Sequence, residues 1–220
     1  MDFLKKLLGS CSNALENLCR SWANRSRRRQ IRAVIASGGD VNAKGSGGDT
    51  PLIEALMISD LHLVKALIAA GADANAERGG AYCSYTALMS TDNAACIKAL
   101  IAAGAEVNAK NNHGNTALTS AAYLHNRADC VKALIAGGAD VNLKGRFGST
   151  ALTLVAQNGD AGLVKALIAA GADVNAKDED NWTALRLARR GLAGWVPTNV
   201  VEKPAYQEII DALKAAGATE

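Results

Sequence analysis

The stretch KALIAAGADVNAK, Lys165 to Lys177, decides the fold, because it recurs almost letter for letter. Further copies read KALIAAGADANAE (Lys65 to Glu77), KALIAAGAEVNAK (Lys98 to Lys110) and KALIAGGADVNLK (Lys132 to Lys144). A more distant copy, RAVIASGGDVNAK, spans Arg32 to Lys44, and ALKAAGATE, Ala212 to Glu220, is a degenerate sixth. The glycines Gly38, Gly71, Gly104, Gly138 and Gly171 are 33, 33, 34 and 33 residues apart. Repetition at that period produces a stacked array in which each unit covers its neighbour's apolar face, so length alone no longer sets a domain count.

Within a copy, Leu163, Val164, Leu167 and Ile168 recur at helical spacing, and the glycine that follows stops the helix by taking φ > 0. This is the second helix of a unit. A short extended run, Ala-Asp-Val-Asn-Ala, leads into a polar, Gly-containing stretch such as NNHGN (Asn111 to Asn115), which reads as a hairpin tip. A threonine then caps the next helix in TPLIEAL (Thr50), TALTSAA (Thr116), TALTLVA (Thr150) and TALRLAR (Thr183), and Pro51 stands at the first helical position, where no N–H is needed.

Hairpin, helix, helix, with this period and the signatures T-[PA]-L and G-A-D-V-N, resembles the ankyrin repeat family over about residues 12 to 220. The resemblance implies an all-α solenoid of six helix-turn-helix units joined by β-hairpin-like loops. Hairpin tips and first helices would form a concave binding face, with the thirteen-residue stretch as an inner wall. The expected division is an N-terminal helical cap repeat with a basic run at 1–44, four central repeats at 45–177, and a C-terminal cap repeat at 178–220 with an insertion at about 191–203.

Departures from the family pattern are informative. The histidine usual after Thr-Pro-Leu is replaced by Ile53, Thr119, Thr153 and Arg186, so its hydrogen bonds across repeats are not expected and some stability is lost. In the second full unit the capping position falls on Cys83 when counted without gaps and on Thr86 when matched by motif. The latter needs a hairpin three residues longer and a shorter first helix, and both readings stand at this point. The third unit carries one extra residue near His125.

Ala, Leu and Ile dominate while aromatics make up only 4%, which suits thin helices that approach closely. No apolar run approaches the ~20 residues of a membrane span and the N-terminus does not read as a signal peptide, so a cytoplasmic location is expected. Five cysteines without Cys-x-x-Cys spacing agree. Cys96 and Cys130 stand where Leu63 and Leu163 stand in other copies, which makes them buried small apolar residues.

No nucleophile elbow, phosphate loop, dinucleotide fingerprint or metal-ligand spacing occurs, so neither enzymatic activity nor any cofactor or metal is expected. His125 and Cys130 lack an orienting third group, and neither His62 nor His113 has a second ligand nearby.

The scarce aromatics mark the candidate site. Tyr82, Tyr85, Phe147 and Trp182 fall in or beside hairpin tips, Tyr123 near the exposed end of a first helix, and Trp195 in the late insertion. By the resemblance these are variable, partner-contacting positions, with His113 and Arg146 beside them. Tyr and Trp commonly anchor protein interfaces because they bury large area at low entropic cost. The reading is a monomeric protein-interaction module that binds another protein, in the manner of stand-alone bacterial ankyrin proteins that act as inhibitors or effectors.

Charge supports an alternative. Residues 1–44 carry nine Lys/Arg against three Asp/Glu, and the remaining chain fifteen against eighteen. Arg27, Arg28 and Arg29 stand where a helix should begin, the end at which the dipole disfavours positive charge. They could be compensated within the fold, or could meet an acidic partner, anionic lipid or nucleic acid, the last disfavoured by the net negative remainder.

Overall fold

The structure is a computed structural model and describes residues 25–45, 48–80, 83–124, 127–194 and 203–219. The first helix of the N-terminal unit, the FLKKLL segment and Trp22 lie outside the described residues.

A helix over residues 25–36, α1, is followed by α2 (Pro51–Met57) and α3 (Leu61–Ala69). A hairpin of β1 (Glu77–Gly80) and β2 (Cys83–Thr86) leads through a three-residue 3-10 helix, Ala87–Met89, into α4 (Ala94–Ala102). Then come α5 (Ala117–Tyr123), α6 (Ala128–Ala136), α7 (Ala151–Asn158), α8 (Ala161–Ala169), α9 (Ala184–Leu192) and α10 (Lys203–Ala215). Two layers result. First helices stack as α2, the 3-10 helix, α5, α7 and α9, and second helices as α3, α4, α6, α8 and α10.

The second helices keep one apolar stripe, such as Leu63, Val64 and Leu67 in α3, and Cys96 and Cys130 fill the leucine position while fully buried. Each of these helices ends alike. After α3, Gly71 takes φ 91° and the N–H of Ala72 donates to the carbonyl of Leu67, a left-handed stop that favours glycine. The thirteen-residue stretch therefore forms the second-helix layer and its exit loop, and is not the inner wall.

Its asparagine explains the near-identity of the copies. Asn42, Asn75, Asn108, Asn142 and Asn175 each accept, through Oδ1, a backbone N–H of the next unit, that of Asp73, Glu106, Asp140, Asp173 and Thr219, at 2.7–2.9 Å. Nδ2 of Asn42 and of Asn142 donates onward to the carbonyls of Gly71 and Gly171, both at 3.1 Å. A side chain that recognises the neighbour's backbone works only if every neighbour presents the same turn.

Two sequence-level questions are resolved. The second unit follows the motif: Thr86 precedes the 3-10 helix, and the hairpin runs from Glu77 opposite Thr86 to Gly80 opposite Cys83. At the missing histidine positions, Thr119 and Thr153 close reciprocal capping boxes. The Thr119 N–H donates to Thr116 Oγ1 at 3.2 Å, while the Thr116 N–H donates to Thr119 Oγ1 at 2.9 Å, and Thr150 and Thr153 do the same. Each box replaces a tie between repeats with a local one of about 1 kcal/mol. In the last unit α9 continues through Gly191 and Leu192, so only 193–202 separate it from α10, fewer than the insertion expected at 191–203.

Candidate functional site

Lengthening the second hairpin shortens the helix behind it. Where α2, α5 and α7 give seven or eight residues to the first-helix layer, the second unit gives three. A depression of about 350 Å³ opens between α2 and α5, lined among others by Met57, Met89, Asp92, Leu124 and Arg127. The hairpin supplies its rim, because Arg78 and Tyr85 are directly opposed across the strands and so share a face.

A second depression of about 430 Å³ adjoins the first through Tyr85, Ser120 and Leu124. It is lined also by His113, Tyr123, Arg146 and Phe147, so five candidate residues from four separate stretches of sequence meet in one groove. Among the described residues the exposed large hydrophobic side chains are Met57 (36%), Tyr85 (40%), Tyr123 (67%), Leu124 (44%) and Phe147 (61%), and all five line it. Scattered exposed apolar residues need no explanation, but a contiguous set does.

The fourth hairpin tip is tied to its neighbours on both sides. The N–H of Arg146 donates to Asn115 Oδ1 at 2.8 Å, and the carbonyl of Phe147 accepts from the N–H of Glu179 at 3.0 Å. Phe147 itself sits at φ 58°, ψ 25°, followed by Gly148 at φ 69°. Behind the groove, Asn111 is 6% exposed, and its Oδ1 accepts the N–H groups of His113 and Asn115 at 3.0 and 2.9 Å. Its Nδ2 has no hydrogen-bond partner among the described residues.

The other candidates lie apart. Trp182, half-buried, is covered by the guanidiniums of Arg186 and Arg190 at 4.6 and 5.4 Å from its ring centroid. Tyr82 and Trp195 lie outside the described residues. Of the arginine run, Arg28 reaches Asp60 at 2.8 Å, and Asp60 also caps α3 by accepting the N–H of Leu63 at 3.2 Å. One carboxylate thus answers both Arg28 and the exposed amides of the next helix.

Cys130 is buried, with Sγ donating to the carbonyl of Asp92 at 3.1 Å, and burial pushes its thiol above the ordinary range. That is the opposite of an activated nucleophile, and His125 lies outside the described residues. His62 and His113 are both exposed. Among the described residues no three His, Cys, Asp or Glu side chains come together, and no helix is long and apolar enough to cross a membrane.

Sequence reasoning missed Met57, Arg78, Leu124 and Arg127. Met57 and Leu124 stand at the ends of first helices, where their apolar character looks like core, and Arg78 depends on a strand register that the sequence left open. The available signal was the displaced Thr86, since moving a helix start back by three residues must leave a gap in the layer.

The sequence matches the family described as ankyrin repeats (3 copies) over residues 59–145 and 124–193. The chain belongs to the ankyrin repeat family. A crystal structure of an ankyrin repeat domain from Acinetobacter baumannii is similar at 28% identity and a TM-score of 0.73, over 90% of this chain and 96% of that one. No curated protein matches the sequence significantly. Ankyrin repeats are generally protein–protein interaction modules and generally not enzymes.

Proposed function

We propose that the chain is a non-enzymatic, monomeric module that binds a partner protein in the groove between the second and fourth hairpins. The observation that carries this reading is the gathering of Tyr85, Tyr123, Leu124 and Phe147, all exposed, in the walls of adjoining depressions. Each leaves about 40–67% of its surface in water, so further burial would return a part of the roughly 1.5–3 kcal/mol that full burial of a large apolar side chain gives, and aromatic anchors in a concave setting are where binding energy concentrates. The partner contacts are assigned to Tyr85, His113, Tyr123, Arg146 and Phe147. A cytoplasmic inhibitor or effector is the role that fits such a module, by analogy with stand-alone relatives.

Membrane or nucleic-acid binding through the N-terminal arginines is weaker support for a function, because Arg28 is already engaged by Asp60. Capture from lysate at low and moderate salt tests the two. The native chain is compared with a variant carrying Tyr85→Ala, Tyr123→Ala and Phe147→Gly and shown by circular dichroism to be folded. A protein retained by the native chain and lost by the variant is the expected result. Equal capture by both chains, abolished by salt or by Arg27→Ala with Arg29→Ala, would move the site to the arginine run.

A further inference from the structure

We infer that the groove recognises an acidic segment of its partner, one whose carboxylates meet Arg127 and Arg146 while a large apolar side chain enters between Tyr85 and Phe147. The inference rests on the binding reading above and adds the chemistry of the occupant.

Charge complementarity carries it. The charged side chains lining the two depressions are Arg78, Arg127 and Arg146 on one side of the balance and Asp92 on the other. Arg78 approaches Asp49 at 3.6 Å, and Asp92 already accepts the Ser59 hydroxyl at 2.7 Å. Arg127 and Arg146 have no ion pair among the described residues; Arg127 donates to the carbonyl of Thr91 at 3.3 Å. Composition does not produce this surplus, because residues 45–220 hold fifteen Lys/Arg against eighteen Asp/Glu. Cations are concentrated here within a net acidic repeat array, the condition under which an anionic partner is steered to one place.

Geometry sharpens the choice. The Arg146 guanidinium lies over the Phe147 ring at 4.5 Å, which orients its plane and leaves its donor edges to a carboxylate in the bidentate manner that arginine favours. Arg127 lines one depression and Arg146 the other, and the apolar Tyr85 and Leu124 line both. An extended peptide with an apolar residue flanked by carboxylates matches that arrangement. A flat bilayer does not enter such a groove.

Selection of random peptides of about twelve residues, displayed on phage, against the full chain tests this directly. Expected are peptides enriched in Asp and Glu around an aromatic or aliphatic residue, which bind about tenfold more weakly to Arg146→Gln or Arg127→Gln and weaken with added salt. Peptides that require Tyr85 and Phe147, yet carry no acidic residues and bind Arg146→Gln unchanged, would overturn the acidic inference and leave the groove in place. A selection that returns only peptides indifferent to Tyr85→Ala and Phe147→Gly, or none, would overturn both. Groove-dependent binding of a single-stranded oligothymidylate tighter than any peptide would replace the partner protein with nucleic acid.

Discussion

Arg146 covers the ring of Phe147 from 4.5 Å, and Phe147 holds a left-handed backbone at φ 58° while its side chain is 61% exposed. In the other fully described tips only the residue before the last turn position, Gly114 or Asn181, is left-handed. A bulky side chain in that region costs about 1–2 kcal/mol, and an exposed ring returns little of it. Strain that packing repays only in small part is what the proposed binding role of this ring would account for. Phe147→Gly removes the strain but also gives the unfolded chain more freedom, worth up to about 1 kcal/mol. The unfolding free energy in urea is therefore expected to be unchanged or slightly raised while partner capture is lost. A clear fall in stability would mean that the ring serves the fold.

Much of the scaffold was legible because its signals are local and repeated: the glycine stops, the threonine caps and the apolar stripes each recur in phase. The groove was legible only in part. Tyr85, Tyr123 and Phe147 stood out as rare aromatics at tips, but Met57 and Leu124 were hidden among core-like aliphatics, and their exposure follows from a missing helix elsewhere. The partner of Arg28 was likewise invisible, since Asp60 lies 32 positions away in the sequence. Contacts between units depend on register, which a displaced hairpin alters without changing any local pattern.

Asn142 links two units by accepting from the N–H of Asp173 at 2.7 Å and donating to the carbonyl of Gly171 at 3.1 Å. Each bond is exposed and worth about 0.5–1.5 kcal/mol. Asn142→Ala is expected to lower stability by about 1–2 kcal/mol and to broaden the unfolding transition, as the last two units uncouple from the rest. Asn142→Asp keeps the acceptor but loses the donor, so about half of the loss is expected. Urea melts followed by circular dichroism distinguish the series, and equal losses for both variants would contradict the assignment.

Gly191 in α9 lies against the ring of Tyr206, whose hydroxyl donates to the carbonyl of Gln157 at 3.0 Å, and a Cβ at 191 would overlap that ring. Helix propensity alone favours alanine by about 1 kcal/mol, whereas overpacking costs about 1–3 kcal/mol. The sign of the change reports which effect wins. Gly191→Ala is expected to destabilise the native chain but to stabilise a Tyr206→Ala background, because there the ring that opposes the methyl is gone. Thermal melts of the four chains check the pair, and the same sign in both backgrounds would rule out the contact as the cause.

Cys96 and Cys130 give the fold a pH dependence whose sign is fixed by their burial. Desolvation is the first cause that raises both thiols, partly offset at Cys96 by a hydrogen bond with Thr91 and at Cys130 by the charge of Arg127. An unfolded thiol ionises near pH 8.5, about the ordinary value. Between that pH and the raised folded values the unfolded chain has lost protons that the folded chain keeps, so stability falls as pH rises. The contribution is complete below about pH 8.5 and is lost through the window above it. Lysines and tyrosines titrate in the same range, so the readout is a difference: the chain with Cys96→Ala and Cys130→Ala should lose less stability between about pH 8 and pH 10 than the native chain. Parallel pH profiles for the two would show that the thiols are not the groups responsible.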